Sequence, residues 1–128
     1  SWPIKGTRAR GADPVRDAAA VAELLTSEKD LAEHVMIVDL VRNDLGRLAV
    51  AGTVVAPRRP TLVSLPTVHH LVSEVRATLR PGWHLAELLA ALFPAGSITG
   101  APKRRTMQII DMLEQRRRGL YCGVRSTG

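Results

Sequence analysis

Residues 29–47 read KDLAEHVMIVDLVRNDLGR, and this stretch decides how the chain folds. It predicts a long helix from Glu28 to Leu45, because Ser27 and Asp30 resemble a helix-capping pair. Gly46 then occupies a position where helices commonly end. The centre of the helix is apolar enough to be buried on most sides: Val35, Met36, Ile37 and Val38.

The sequence before this helix predicts a loop and a shorter helix. Residues Pro3 to Pro14 contain two glycines among basic residues, which is typical of a loop with unusual backbone angles. Asp13 is suited to be the N-cap of an alanine-rich helix over Val15–Leu25, and the proline beside it suits a helix start. Two consecutive helices are therefore expected after an irregular N-terminal segment.

The sequence after the long helix predicts short strands. β-Branched residues favour strands at Arg47–Pro57 and at Thr61–Leu65. Between Val68 and Arg80, odd and even positions differ in polarity with a period of two, which predicts a third strand. In that strand His69 and His70 point to opposite faces, so the two cannot form one site, and His70 lies on the more polar face.

The C-terminal third predicts two helices separated by a loop of small residues. Leucines at i, i+3, i+4 and i+7 predict an amphipathic helix over His84–Leu92. A loop over Ala95–Ala101 leads to Pro102, which opens a helix to about Arg117, with Gly119 as its stop. Two further expectations are an inward helix face of Met107, Ile110 and Leu113 and the start of a strand at Leu120–Val124.

Composition limits what the chain can bind. Its 128 residues carry a formal charge of +6, with 15 arginines against three lysines. This basicity could serve to bind nucleic acid or an acidic small molecule, or it could simply reflect a high-GC genome. Only four residues are aromatic, which weighs against binding single strands by base stacking. No apolar run reaches the roughly 18 residues that span a bilayer, and a lone Cys122 excludes an internal disulfide framework. We expect a cytoplasmic protein that binds neither membrane nor nucleic acid.

Three side chains could carry chemistry near the start of the chain. Lys5 lies beside a glycine, where the backbone can approach a ligand, and burial would lower the pKa of its amine. The alternative is a solvated surface charge. Asp30 and Glu33 share one helix face, a spacing that lets two carboxylates hold Mg²⁺, although an ordinary polar helix stripe has the same spacing.

The small-residue loop before the last helix suggests an anion site. Residues 96–103, GSITGAPK, place hydroxyls and backbone amides before a helix N-terminus, which favours a carboxylate or phosphate. The spacing of a nucleotide-binding P-loop is absent. Asp39 and Asp44, with Arg42 and Arg47, are more simply ion pairs on a helix surface or a polar network at the end of the helix.

Five strings, in order along the chain, closely resemble the chorismate-utilising enzymes. They are PIKGT at 3–7, KDLAEHVMIVDLVRNDLGR at 29–47, VHHLVS at 68–73, FPAGSITGAPK at 93–103 and RGLYCG at 118–123. Within that family they look most like the para-aminobenzoate branch, because Lys5 stands where anthranilate synthases typically carry alanine. The resemblance spans roughly Pro3 to Gly123.

The resemblance implies roles for residues of this sequence. Lys5 looks like the amine that attacks chorismate and forms a covalent intermediate, and His70 looks like a second catalytic residue lining the active site. A neutral lysine is required for attack, so a lowered Lys5 pKa is expected. Glu33 resembles a ligand of a Mg²⁺ cofactor, with Asp30 beside it. The implied substrate-binding residues are Gly6, Thr7, Ser97 and Tyr121.

The resemblance also implies a reaction and a fold. The reaction converts chorismate and ammonia to 4-amino-4-deoxychorismate for para-aminobenzoate and folate synthesis, with a glutamine amidotransferase partner supplying ammonia. The fold is α+β, with antiparallel sheets packed together and helices outside. Residues 1–128 would be a central fragment of one chorismate-binding catalytic domain, incomplete at both ends and active only within the full-length enzyme. An anthranilate synthase-like activity and an inactive truncated remnant stay open as alternatives.

Overall fold

A computed structural model describes residues 1–116, 118 and 119 of the chain. These residues form a mixture of helices with one small sheet, in agreement with the α+β expectation. In chain order the elements are β1 (Ile4–Ala9), α1 (Pro14–Thr26), α2 (Glu28–Gly46), β2 (Thr61–Ser64), β3 (Val68–Val72), α3 (Leu85–Leu92), α4 (Gly96–Thr99) and α5 (Lys103–Glu114).

The two long helices begin where capping side chains can satisfy their first amides. Asp13 accepts a hydrogen bond from the backbone N–H of Arg16, and Ser27 accepts one from the backbone N–H of Asp30. Each bond satisfies one of the amides that have no partner within the helix. The predicted helices over 15–25 and 28–45 are therefore confirmed, with α2 extending through Gly46.

The sheet is antiparallel, with strand order β1-β3-β2. Thr7 pairs with His70, but Ile4 pairs with Val72, so β1 contains one residue more than β3 over this interval. This is a β-bulge, and it places Lys5 and Gly6 between the two pairs. The position of the bulge is the feature of the fold that matters most for the candidate site.

The core lies between the sheet and the α1–α2 pair. Leu24 from α1 and Leu71 from β3 are fully buried, and Val38 and Leu45 from α2 pack with Val75. The expectation that the apolar centre of α2 is buried on most sides is only half right. Ile37 and Val38 are buried, whereas 52% of Val35 and 46% of Met36 is exposed. This follows because a helix that packs on a sheet buries only one of its faces.

Two strand predictions are wrong in extent. The segment 47–57 forms no named strand; it contributes isolated bridges from Ala49 to Leu79 and from Val55 to Arg76. The third predicted strand ends at Val72 instead of Arg80. Conversely, the segment that begins at Pro3 was predicted to be a loop but contains the strand β1. The sequence does not show a strand there, because Lys5, Gly6 and Arg8 interrupt the alternation of apolar and polar residues. The pairing of β1 with β3 supplies the order that local propensity does not indicate.

The C-terminal helices also differ from expectation. Four residues of the predicted loop form the short helix α4, and α5 ends at Glu114, where Gln115 adopts a left-handed conformation. Gly119 therefore does not end the helix. The expected inward face of α5, Met107, Ile110 and Leu113, is not buried, and 78% of Leu113 is exposed. The predicted strand at Leu120–Val124 lies outside the described residues.

Over residues 1–116, 118 and 119, no single helix is long and apolar enough to cross a membrane. One bent pair of segments, Leu85–Thr99 with Lys103–Glu114, meets the length and composition requirements together, at an angle of 68°.

Asp44 forms a buried ion pair instead of the surface pair expected from the sequence. Its carboxylate accepts a hydrogen bond from Nζ of Lys103 at the start of α5, and only 8% of the Asp44 side chain and 12% of the Lys103 side chain is exposed. Asp39 does pair with Arg42 on the helix surface, at 2.8 Å. Lys103 thus forms a tertiary contact between α5 and α2. Because its ammonium group bonds the Asp44 carboxylate, it is less available to bind an anion at the predicted anion site.

A second polar cluster joins α1 to the sheet. Asp17 accepts from Nε and Nη2 of Arg10 and from the Gly11 amide. It also lies 3.0 Å from Nε2 of the buried His69, whose Nδ1 is 2.8 Å from Ser64 Oγ. The hydrogen bonds from Arg10, then from the Gly11 amide and His69, hold the pKa of Asp17 well below its ordinary value. His69 therefore faces the helices, as the alternation predicted.

This cluster gives stability that depends on pH. Because the folded-state pKa of Asp17 is lowered, its contribution is complete above the unfolded pKa and is lost as pH falls towards the folded pKa. We expect Asp17→Asn to be less stable than the wild type at pH 7, with the difference shrinking below about pH 4. Urea unfolding at pH 7, 5 and 3 measures this, and parallel pH profiles of the two proteins would contradict it.

Candidate active site

The β-bulge shapes the segment that holds the leading candidate residue. Gly6 adopts a φ of 95°, which a side-chain-bearing residue rarely adopts. A Cβ built there would lie 3.1 Å from Leu71 Cδ1, 3.2 Å from Leu24 Cδ1 and 3.4 Å from Asp30 Cβ. Gly6 therefore lets the strand turn at the bulge and pack closely on α1, α2 and β3.

Replacing this glycine should be costly. We expect Gly6→Ala to lower the free energy of unfolding by about 2–4 kcal/mol, from about 1–2 for the left-handed backbone and about 1–2 for crowding. Gly52→Ala is the matched control, because Gly52 has a φ of 80° but no atom within 4 Å of its Cβ position. Equal losses for the two variants, measured by urea unfolding, would show that close packing at Gly6 contributes nothing.

Lys5 lies next to Gly6 and extends towards α2. Its Nζ is 2.9 Å from Oε2 of Glu33, and 41% of the Lys5 side chain is exposed. The hydrogen bond that Lys5 donates to this carboxylate, followed by the carboxylate's charge, raises the pKa of Lys5. The expected lowering of the Lys5 pKa is therefore wrong for this arrangement, because the paired carboxylate stabilises the ammonium form more than burial destabilises it.

The two carboxylates proposed to hold Mg²⁺ differ in availability. Asp30 Oδ2 is 2.9 Å from Arg8, which also bonds Glu23. The pKa of Asp30 is lowered, first by its Ser27 hydrogen bond and then by Arg8. Among the residues that the structure describes, Glu33 forms an ion pair with Lys5 alone, through Oε2. Glu33 fits the single protein carboxylate that Mg²⁺ often takes, whereas Asp30 fits less well.

The described part of the chain assembles no three-residue cluster of His, Cys, Asp or Glu that could hold a metal. Glu33 would then act as one protein ligand, with the remaining positions left to water and substrate oxygens.

Thr7 and His70 form a separate pair on the other face of the sheet. Thr7 Oγ1 lies 2.8 Å from His70 Nδ1, and the two residues oppose each other in the β1–β3 register. Since His69 faces the helices, His70 faces away from them. Among the described residues, no hydrogen bond joins His70 to Lys5. The predicted site residues thus form two groups around the bulge: Lys5 with Glu33, and Thr7 with His70.

The remaining predicted substrate residues are less directly connected. Ser97 is exposed on α4, which packs on α2 through Gly96 and Leu40. Leu40 lies seven residues beyond Glu33, about 10 Å along the helix. The structure therefore does not bring Ser97 to Lys5 through direct contact. Tyr121 lies outside the described residues.

One residue that sequence reasoning missed contacts Lys5 directly. His34 is buried in α2, and its Nδ1 lies 3.1 Å from the backbone oxygen of Lys5. Its Nε2 lies 2.8 Å from Ser73 Oγ. The sequence contained one signal for this residue, its spacing. His34 lies three and four residues before Ile37 and Val38, so it shares the buried face of the helix with these two apolar residues.

A cavity of about 370 Å³ lies beside α2, and neither Lys5, Glu33 nor His70 lines it. Its wall includes both polar and apolar groups from α2 and from the segments around Ala56 and Ser73. The residues with polar side chains are His34, Asp39, Arg42, Arg58 and Ser73. The structure thus separates this cavity from the predicted reacting groups.

Comparison with known proteins decides the family. The sequence profile of the chorismate-binding enzymes matches residues 1–125. The chain belongs to this family. It is 54% identical over 121 residues to an aminodeoxychorismate synthase component 1 of Escherichia coli and 48% identical over 123 residues to an anthranilate synthase component 1 of Saccharolobus solfataricus. The alignments cover 94% and 96% of this chain but only 27% and 29% of those relatives.

Solved structures of this family have the same arrangement. Anthranilate synthase component I from Streptococcus pneumoniae superposes with a TM-score of 0.79 at 37% identity, over 96% of this chain and 26% of that one. The α+β fold expected from the chorismate-utilising enzymes is therefore confirmed for this segment. The chain spans between a quarter and a third of the length of these three relatives.

Proposed function

We propose that the complete protein carrying this chain is an aminodeoxychorismate synthase component I. The observation that carries the proposal is Lys5, an amine held at a β-bulge 2.9 Å from Glu33, in a chain that belongs to the chorismate-binding enzymes. Anthranilate synthases typically carry alanine at the corresponding position. A primary amine at this point supports covalent chemistry that an alanine could not perform.

The reaction assigned to Lys5 has two steps. Nζ forms a bond to the chorismate ring while the C4–O bond breaks, and the hydroxyl leaves as water with a proton from the amine. Ammonia then forms a bond at C4 as the bond to Nζ breaks, which gives 4-amino-4-deoxychorismate and regenerates Lys5. In this scheme the Glu33 carboxylate orients the amine before reaction and can take up its proton.

Other residues of the chain would position the substrate. The Thr7 hydroxyl and His70 imidazole, 2.8 Å apart, offer a donor–acceptor pair on the far side of the bulge. Gly6 stays a proposed substrate contact on the strength of the resemblance, although its Cβ side packs against Leu71 and Leu24. Ser97 and Tyr121 stay proposed substrate contacts on the strength of the resemblance. A Mg²⁺ ion bound by Glu33 would neutralise a chorismate carboxylate when present.

The proposed setting follows from the same chemistry. Ammonia would come from a glutamine amidotransferase subunit or domain, and the product would serve para-aminobenzoate and folate synthesis in the cytoplasm. An anthranilate synthase activity is the second candidate, because the 48% identity to an anthranilate synthase component 1 is close to the 54% identity to an aminodeoxychorismate synthase component 1. We propose that the isolated 128-residue chain is inactive, since it spans about 27% of the latter relative.

Product analysis tests the proposal. The complete protein, incubated with chorismate, Mg²⁺ and ammonia, should form 4-amino-4-deoxychorismate and release no pyruvate. Anthranilate lacks the enolpyruvyl group, so its formation must release pyruvate. Stoichiometric pyruvate together with anthranilate would overturn the proposal in favour of the second candidate, and no consumption of chorismate would favour the inactive remnant.

A further inference from the structure

His34 connects α2 to the backbone of Lys5 through a buried hydrogen-bond chain. Only 1% of His34 is exposed. The Lys5 carbonyl can only accept, so His34 Nδ1 carries the hydrogen and donates to it, at 3.1 Å. In the neutral ring Nε2 then accepts from the hydroxyl of Ser73, at 2.8 Å; Ser73 is itself 2% exposed. Both ring nitrogens are therefore bonded.

The Lys5 carbonyl lies where the strand ladder is irregular. The bulge between Ile4 and Thr7 leaves one residue of β1 without an opposite residue in β3. Backbone polar groups at such a point need another partner, and His34 provides one. The same turn of α2 carries Glu33, which bonds the Lys5 side chain. Lys5 is thus bound at two points by adjacent residues: its carbonyl by His34 and its ammonium group by Glu33.

We propose that His34 is a positioning residue for Lys5. By bonding the Lys5 carbonyl it fixes the backbone of the bulge, and so directs the side chain of Lys5 towards Glu33. Ser73 orients the imidazole for this task. The catalytic consequence rests on the proposed function of Lys5, but the positioning itself does not.

His69 provides a matched control. It is also a buried histidine, 2% exposed, with both ring nitrogens bonded, but its partners are Ser64 and Asp17 and it has no bond to Lys5. Loss of either ring leaves a cavity and unpaired polar groups of similar kind. The two histidines differ in whether they contact Lys5.

The first test needs no chorismate. The complete protein is treated with a limiting amount of an amine-acylating reagent, and peptide mass spectrometry gives the acylation rate of Lys5 relative to the exposed Lys29. We expect His34→Ala to raise this ratio at least about threefold, because Lys5 leaves its ion pair. Ser73→Ala should raise it less, and His69→Ala should leave it unchanged. His34→Asn should restore the ratio, since its amide N–H can donate to the Lys5 carbonyl.

The second test is kinetic and uses the same proteins. A displacement of a reacting group by about 1 Å can cost about 100-fold in rate, so His34→Ala should lower kcat about 100-fold while KM changes less than threefold. His34→Asn should recover at least tenfold, and His69→Ala should retain kcat at the same loss of Tm. If His34→Ala does not fold, the other two variants carry the test. The positioning role then predicts a raised acylation ratio in Ser73→Ala and a ratio like that of the wild type in His34→Asn.

The two tests separate the positioning role from the proposed reaction. An unchanged Lys5-to-Lys29 ratio in His34→Ala, or an equal rise in His69→Ala, overturns the positioning role whatever the activity. A wild-type protein that makes no 4-amino-4-deoxychorismate overturns the proposed function, while the acylation ratio still decides the role of His34.

Discussion

Lys5→Ala should abolish formation of 4-amino-4-deoxychorismate, with a loss on the order of 10³-fold or more in kcat. Alanine has no group that can bond to the chorismate ring, and removing a covalent nucleophile typically costs at least this much. The Lys5–Glu33 contact also disappears, but 41% of the Lys5 side chain and 34% of the Glu33 side chain is exposed, and ion pairs open to solvent contribute little to stability. The measurement is steady-state turnover with chorismate, Mg²⁺ and ammonia, with Tm as a check on folding.

Two matched variants separate the amine from its charge. Lys29→Ala removes an exposed lysine on α2 and should retain wild-type activity. Lys5→Arg keeps a positive charge near Glu33 but supplies no neutral amine, since arginine stays protonated, and it should be as inactive as Lys5→Ala. Normal turnover by either Lys5 variant would contradict the nucleophile assignment.

Lys103→Ala should lower the free energy of unfolding by about 3–5 kcal/mol, the range typical of breaking a buried ion pair. The variant leaves the carboxylate of Asp44 without its cation while 8% of that side chain is exposed. It also removes the contacts that tie the start of α5 to α2 through Asp44 and to α3 through the Ala91 carbonyl. Urea unfolding followed by circular dichroism measures the loss.

A second substitution identifies the cause of that loss. Asp44→Asn in the Lys103→Ala background replaces the unpaired charge with a neutral amide and should recover part of the stability. Lys29→Ala, at an exposed position, should stay within about 0.5 kcal/mol of wild type. A loss of the same size in Lys29→Ala, or no recovery of stability in the double variant, would contradict the assignment of the loss to the unpaired carboxylate of Asp44.

The helices α1 and α2 were predictable from sequence because their signals are local. Asp13 and Ser27 are capping residues directly before helix-forming segments, and their side-chain bonds to the backbone are present. Local signals also placed β2 and the opposite orientations of His69 and His70. Such features depend only on residues a few positions apart.

Features set by distant contacts were not predictable in this way. The strand β1 looks like a loop because a basic residue or glycine occupies half of its positions, and its order comes from pairing with residues 59 to 68 positions later. The bulge, and with it the direction of Lys5, depends on a one-residue mismatch in that pairing. Asp44 was expected to pair along its own helix, but Lys103, 59 residues away, binds it instead.

The resemblance proposes residues for the candidate site but not their geometry. The resemblance named Lys5, Glu33, Thr7 and His70 together, whereas the structure joins them as two hydrogen-bonded pairs. The Lys5 pKa shows why geometry matters. Expected burial in a desolvated site suggested a lowered Lys5 pKa, but the contact with Glu33 raises it.

The central claim is that Lys5 forms the covalent bond to the substrate. The complete protein is mixed with chorismate and Mg²⁺ without ammonia, quenched in denaturant, and digested for peptide mass spectrometry. The peptide containing Lys5 should gain the mass of chorismate less one water, and added ammonia should remove this mass as 4-amino-4-deoxychorismate appears. Turnover in the presence of ammonia, with no adduct on Lys5 in its absence or with an adduct on another residue, would contradict the claim.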